Sequence, residues 1–135
     1  MSLEILTEFE DYLKARTQGD LTSGYRVQYS LWQDEPAAGE TSTDNTQFMV
    51  LKMNGGAKPD LDFFNPYVQI FLAGKPQDNG TALEQTMDDI MSYMQTSYNT
   101  SKFAIIEPVG SPTPVVLTTE NRPTVSLTVR LINQM

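Results

Sequence analysis

The chain has 135 residues and, with nine basic against seventeen acidic side chains, a formal net charge of −8 at pH 7. It contains no histidine and no cysteine, so it lacks the commonest general base and metal ligand, the thiolate nucleophile and any disulfide. Binding to nucleic acid needs clustered Lys and Arg, which are here spread thinly. The composition favours one domain that acts by shape and contact rather than by catalysis.

The chain shows no membrane or secretion signal. No apolar run approaches the roughly 20 residues that cross a bilayer. The first residues also lack the basic and apolar regions of a signal peptide. We therefore expect a soluble protein that is intracellular or carried in a particle.

The first predicted element is an amphipathic helix over residues 3–16. Its apolar residues recur at intervals of three and four, while Glu4, Glu8 and Asp11 line another face. Basic residues near its end suit the helix dipole, and Gly19 ends it.

Two strands are predicted on either side of a long polar segment. Apolar and polar residues alternate in the first strand, whose apolar face is formed by Tyr25, Val27, Tyr29 and Leu31. Residues 33–45 contain no large apolar side chain, so we expect an exposed hairpin arm that orders only against a partner. The second strand, 46–53, is apolar on both faces and is predicted to be central, with a break at Asn54-Gly55-Gly56.

A third strand and a second helix follow. The strand covers 67–72. Thr81-Ala82-Leu83-Glu84 has the pattern of a capping box, in which the Thr81 hydroxyl accepts from the Glu84 amide. The helix is predicted to run to about Asn99, with an apolar face formed by Leu83, Met87, Ile90, Met91, Met94 and Tyr98.

The remaining patterns predict short strands at 103–107 and 115–117 and a final alternating strand at 125–131. The order is helix, three strands, helix, and two to three strands. It predicts an α+β fold with a single mixed, mainly antiparallel sheet and two helices packed on one face. We expect one domain over residues 1–135.

Several residue groups could support chemistry, but each fits a structural explanation better. Asp60 and Asp62, and the acidic residues of the arm, are more typical of solvated loops than of a cation site. Asp88 and Asp89 diverge by about 100° around a helix and cannot form a catalytic dyad. The turn at 54–59 has glycines and a lysine, but it lacks the spacing of a phosphate loop.

Two apolar groups could bind a partner. Met87, Met91 and Met94 could form an adaptable groove, although such a stripe is more often the core face of a helix. Phe63-Phe64 could be an exposed anchor, although a plug over the end of the sheet is favoured.

In this order of elements, the chain resembles the tail terminator proteins of long-tailed bacteriophages. The resemblance covers nearly the whole chain. It includes the first helix, the hairpin with its long arm, the strand Asn65–Gly74, the helix from Thr81 and the closing strand Pro123–Ile132.

The resemblance implies a structural protein without catalytic, cofactor-binding or metal-binding residues. It implies a ring, usually a hexamer, that caps the tail tube and presents a surface to the head connector or neck protein. Such a protein belongs to the virion tail and is assembled in the host cytoplasm. DNA would pass through the lumen without sequence-specific binding.

No motif fixes the contacts of this family, so we assign interface residues by their positions on the first helix, the arm and the strands. The expected set is Glu4, Glu8, Asp11, Arg26, Asp34, Glu35, Glu40, Asp44, Arg122 and Arg130. Two other classes of protein stay open at this point. One is a monomeric acidic adaptor or inhibitor, and the other is a small hydrolase with Asp60 or Asp62 as its base.

Overall fold

The computed structural model describes residues 2–56 and 66–133. The loop carboxylates Asp60 and Asp62 and the aromatic pair Phe63-Phe64 lie outside the described residues. Within the described ranges, helices and strands follow one another in the order that the hydrophobic pattern predicted.

The elements form one sheet with both helices on the same side. Their bounds are α1 Ser2–Lys14, β1 Tyr25–Tyr29, β2 Gln47–Gly56, β3 Pro66–Ala73, α2 Thr81–Thr96, β4 Phe103–Val109, β5 Val116–Leu117 and β6 Pro123–Asn133. The strand order is β1-β2-β3-β6-β4, and β5 pairs with the start of β6 on the same side as β4. Only β1 and β2 are parallel among the described pairs. The predicted α+β class, with a mixed and mainly antiparallel sheet, is confirmed.

The main core lies between the helices and the sheet. From the helices, the most deeply buried side chains are Leu6, Phe9, Leu13, Leu83, Met87, Ile90 and Met94. From the sheet, the same cluster includes Met49, Leu51, Val68, Ile70, Leu72, Val125, Leu127, Val129 and Leu131. Full burial of each large apolar side chain contributes about 1.5–3 kcal/mol. Met87 and Met94 therefore belong to the core, as favoured above, and Met91 packs partly buried against it.

The predicted hairpin between the first two strands is wrong, because β1 and β2 run parallel. Tyr25 pairs with Gln47 and Tyr29 with Leu51. Alternation along a strand shows which residues share a face, but it does not show the direction of the neighbouring strand. Residues 30–46 exceed the dozen or so residues that a parallel crossover needs.

The end of β2 also differs from the prediction. Asn54-Gly55-Gly56 does not break the strand, which continues to Gly56 with a shift of register between Met53 and Gly56. The glycines therefore lie in an irregular stretch of paired strand, where an extra residue is accommodated by a bulge.

The capping box predicted at the start of α2 is not formed. Gly80 is the N-cap residue, with φ of 82° and no side-chain cap. The Thr81 amide donates to Asn79 Oδ1 at 3.0 Å, and the Glu84 amide donates to the Gly80 carbonyl. A Cβ at Gly80 would lie 3.0 Å from Val115 Cγ1, so glycine suits this position in both conformation and space. The ends of both helices also differ, since α1 ends at Lys14 and α2 at Thr96.

Candidate assembly surface

The sheet face away from the helices has its own apolar cover near β1. Phe48 and Val50 are buried, yet they are outside the cluster beneath the helices. Trp32 packs over this face, with ring centroids 5.9 Å from Phe48 and 5.5 Å from Phe71. The Arg26 guanidinium lies 5.6 Å from the centre of the Phe48 ring. The chain that leaves β1 therefore covers this end of the sheet.

Arg122 holds the chain segment that covers this face by hydrogen bonds. The residue is 1% exposed. Nη1 donates to the carbonyl oxygens of Thr46 and Gly74, both at 2.9 Å. Nη2 donates to the Thr43 carbonyl at 2.8 Å and to the Thr43 hydroxyl at 2.9 Å. The Arg122 guanidinium is therefore enclosed and used within its own chain, and the expected interface role of this residue stays a prediction.

Asp34 supplies the counter-charge for Arg122. Its Oδ2 lies 3.2 Å from Arg122 Nε, and its Oδ1 accepts a hydrogen bond from Arg122 Nη2 at 3.4 Å. Asp34 Oδ1 also accepts a short hydrogen bond from the Thr43 hydroxyl. A buried cation requires such a partner to offset the loss of hydration. Asp34 therefore has a clear role inside its own chain.

The arm, residues 33–45, is exposed as predicted except at Thr43, which is buried. Arg26 Nη2 lies 2.7 Å from Glu40 Oε1, and that carboxylate also accepts from the Ala37 amide at 2.7 Å. The Ala37 amide, followed by the Arg26 guanidinium, lowers the pKa of Glu40 below its usual value. Arg26 Nη1 donates to the Glu35 carbonyl oxygen at 3.2 Å. The arm is therefore held to the fold by its own polar contacts.

The structure separates the expected interface residues into three places. Asp34, Glu35, Glu40 and Asp44 belong to the arm, and Arg26 and Arg122 contact it. Glu4, Glu8 and Asp11 lie on α1, on the opposite side of the sheet. Glu8 is 3.8 Å from Lys102, whereas Glu4 and Asp11 are exposed. Arg130 forms an ion pair with Glu107 across β6 and β4.

Exposed apolar residues are concentrated at the β4 and β5 edge, which the sequence analysis did not identify. They are Tyr98, Ile105, Val109, Val116 and Leu117. Both residues of β5 are open, with Val116 59% and Leu117 58% exposed. Because successive strand residues point to opposite faces, neither face of β5 is covered within the monomer. Three consecutive apolar residues, Val115-Val116-Leu117, were a usable signal, since one half-buried edge strand cannot bury them all.

A second open apolar site lies at the end of β1. The alternation predicted that Leu31 faces the core, but Leu31 is 66% exposed. The reason is that β1 ends at Tyr29 and Ser30 adopts φ of 72°, which turns the chain off the strand. Leu31 then borders a pocket of about 220 Å³, here called the Trp32 pocket, lined by Ser30, Leu31, Trp32, Val50, Lys52 and Phe71.

The indole nitrogen of Trp32 is unsatisfied in this pocket. Trp32 Nε1 is buried and has no hydrogen-bond acceptor in the part of the chain that the structure describes. An orphan buried donor costs about 1–3 kcal/mol. The Trp32 pocket therefore combines an apolar wall with a lysine, and the unpaired indole N–H is enclosed within the chain.

Residues 2–56 and 66–133 contain no group of three or more Asp or Glu that could hold a metal ion. Asp89 accepts from Gln85 on the exposed side of α2, and Asp88 is exposed. In the same ranges, neither helix is long and apolar enough to cross a membrane.

The fold is that of a small α+β protein with exposed apolar residues at both ends of its sheet. The β4 and β5 edge has five of them, and the β1 end has Leu31 and the Trp32 pocket. The family model for phage tail termination proteins matches residues 2–135. The chain therefore belongs to the phage tail termination protein family, as the resemblance in its sequence implied, and has a structural role in the phage tail. This membership favours a role without catalysis.

The other two comparisons add information about the fold only. One solved structure matches at 15% sequence identity with a TM-score of 0.51, covering 98% of this chain and 94% of its own. Such low identity supports a shared fold and nothing further. No curated protein matches the chain.

Proposed function

We propose that copies of this chain form a ring, a hexamer by analogy with the family, that caps the phage tail tube and joins it to the head connector. The observation that carries the proposal is the difference between the two sheet edges. The β4 and β5 edge has five exposed apolar residues, whereas the β1 end has Leu31 and the Trp32 pocket. Unlike edges suit head-to-tail contacts, which close into a ring when the rotation allows it.

The charged surfaces are proposed to orient these contacts. Glu4 and Asp11 on α1 are exposed and could face Arg26 or Arg130 of a neighbour, although both arginines already have partners in their own chain. Exposed ion pairs contribute about 0–1 kcal/mol each. Their role would be to select orientation, while apolar burial of about 1,000 Å² or more per interface provides stability.

The arm is proposed to contact the other components of the tail. Glu35 and Asp44 are exposed on a segment whose position is fixed by Arg122 and Arg26. A positioned acidic loop suits a contact with the tail tube protein or the neck protein. The net charge of −8 would also limit adhesion of DNA passing through the lumen.

The experiment is to remove the gene from its phage, restore it on a plasmid and image the particles. We expect tails of uncontrolled length without heads in its absence, and normal virions with a ring at the head-proximal end of the tail when it is restored. The purified protein should form rings alone or on isolated tail tubes. Normal virions without the gene, or a protein that neither forms rings nor binds tubes, would contradict the proposal and favour a monomeric adaptor.

A further inference from the structure

We propose that the β5 hairpin of one copy, residues 116–124, inserts into the Trp32 pocket of the next copy. Leu117 would fill the apolar part of the pocket, and Glu120 would pair with Lys52. This inference rests on the proposed ring and specifies which surfaces join its subunits.

The β5 hairpin is an ordered projection rather than a loose loop. The Thr118 amide donates to the Arg122 carbonyl at 2.9 Å, and the Asn121 amide donates to the Thr118 carbonyl at 2.9 Å. Asn121 adopts φ of 63°, a left-handed conformation that Asn tolerates better than most residues. The buried guanidinium of Arg122 fixes the base of the hairpin. The exposed side chains of Val116 and Leu117 are therefore presented in a defined position, which lowers the entropy cost of docking.

The Trp32 pocket has an open apolar wall, and the β5 hairpin has an exposed aliphatic side chain, Leu117, that could cover it. Its walls include Leu31, Val50 and Phe71, which gain from contact with an aliphatic side chain. The Trp32 indole N–H is enclosed within its own chain and is not available to a neighbour, so burial of apolar surface would provide the stability of this contact.

The charges of the two surfaces are complementary. Lys52 lines the pocket and forms no ion pair within the described ranges. Glu120 is exposed near the tip of the hairpin, where its carboxylate accepts from the neighbouring Thr119 hydroxyl at 2.8 Å and from no other group among residues 2–56 and 66–133. A link between Glu120 and Lys52 would therefore break no ion pair among the described residues.

No residue of the β5 hairpin lines the Trp32 pocket of its own chain. The Trp32 pocket lies at the β1 end of the sheet, and β5 lies on the far side of β6. Each copy can therefore donate a hairpin to one neighbour and accept one from the other. This is the heterologous arrangement that closes into a ring.

Disulfide trapping tests the contact directly, because the chain contains no cysteine. We expect a variant with Leu31→Cys and Leu117→Cys to form a ladder of linked species up to the full ring on oxidation. Each single variant should stay unlinked on a denaturing gel. Linking by either single variant would indicate a two-fold contact and overturn the inference.

A matched pair, Leu31→Cys with Val109→Cys, tests the main alternative contact. Val109 shares a row across the sheet with Thr128, Gln69 and Lys52, close to the level of Leu31. Direct pairing of the β1 and β4 edges would therefore link this variant. Linking here and not through Leu117 would also overturn the inference.

A charge exchange gives a second, independent readout. Lys52→Glu or Glu120→Lys alone should weaken assembly about ten-fold or more, since each places like charges together. The double exchange should restore it. Emission from Trp32, the only tryptophan, should change on assembly of the wild-type protein and not with Leu117→Asp. If wild-type rings form but neither test behaves as stated, this inference is wrong and the proposed ring is unaffected. If the protein neither forms rings nor binds isolated tail tubes, the proposed function is wrong.

Discussion

Tyr93 donates its hydroxyl hydrogen to the main-chain carbonyl oxygen of Tyr12 at 3.0 Å, and the two rings stack with centroids 4.7 Å apart. Tyr12 in turn donates its hydroxyl hydrogen to the Ser97 carbonyl at 2.7 Å, just after α2 ends. Burial, with a smaller effect of Tyr93, raises the pKa of Tyr12 well above the usual tyrosine value. The last turn of α1 is therefore fixed to the end of α2.

We expect Tyr12→Phe to lower the free energy of unfolding by about 1 kcal/mol, because the Ser97 carbonyl loses its donor while the ring stays in place. Chemical denaturation measures this change. Tyr98→Phe is the matched control, since Tyr98 is exposed and should change stability by less than about 0.5 kcal/mol. Equal effects of the two variants would contradict the role given to Tyr12.

Arg122→Leu should lower the free energy of unfolding by about 3 kcal/mol or more, because it leaves the carbonyls of Thr43, Thr46 and Gly74 without a buried donor. Arg130→Leu, which removes an exposed ion pair with Glu107, should cost about 0–1 kcal/mol. Denaturant unfolding of both variants provides the comparison. A small effect at Arg122 would show that the arm is not part of the cooperative fold.

Thr43→Val should cost about 1–2 kcal/mol, because the shape is kept while the hydroxyl that bonds Arg122 and Asp34 is lost. Thr41→Val is the control at an exposed position of the same arm. Hydrogen exchange of the arm amides should rise only in the Thr43 variant. Unchanged exchange would mean that the Arg122 contacts do not restrain the arm.

Acid should loosen the arm through Glu40. Its pKa is lowered in the folded chain by the Ala37 amide and then by Arg26, so its contribution is present above the unfolded pKa and is lost as the pH falls through the lower, folded value. Chemical shifts of the Ala37 amide should follow this titration. Glu40→Gln should remove the pH dependence, and a titration that persists in this variant would assign it to another group.

Reversal of charge on α1, by Glu4→Lys with Asp11→Lys, should impair assembly and leave the monomer folded, because both side chains are exposed. The same reversal at Glu84 and Asp88, on the exposed side of α2, serves as the control. Circular dichroism checks the fold, and negative-stain microscopy with added tail tubes checks assembly. Normal rings from the α1 variant would remove α1 from the interface.

The core could be predicted because periodicity reports burial directly. The stripes on α1 and α2 and the alternation in β6 are each set by one apolar face, and all three pack against the core. The exception is Tyr98, predicted on the apolar face of α2, which lies beyond the end of the helix and is exposed. Strand direction and helix caps depend on contacts between distant residues. Local sequence patterns therefore could not predict the parallel pairing of β1 with β2 or the positive φ of Gly80.

The candidate surface was predicted less well, for a physical reason. Charge was used to choose interface residues, but a charged group can form all its contacts within its own chain. Arg122, for example, donates hydrogen bonds to the carbonyl oxygens of Thr43, Thr46 and Gly74. Conversely, Leu31 was predicted to share the apolar face of the first strand and is exposed in the structure, because the chain turns off that strand at Ser30. Alternation along the sequence does not show such a turn.

The parallel pairing of β1 and β2 has a consequence for the order of folding. The antiparallel partners β2 and β3 are close in sequence. By contrast, β1 pairs with β2 only after residues 30–46 have crossed over the sheet. That crossing segment is held by hydrogen bonds from Arg122, which lies near the other end of the chain. Contacts with greater sequence separation form later when loop closure limits the rate. We expect pulse-labelled amides of β1 to gain protection after those of β2 and β3. The Trp32 pocket would then be completed last, so that a subunit becomes competent to join its neighbours only when its own folding is finished.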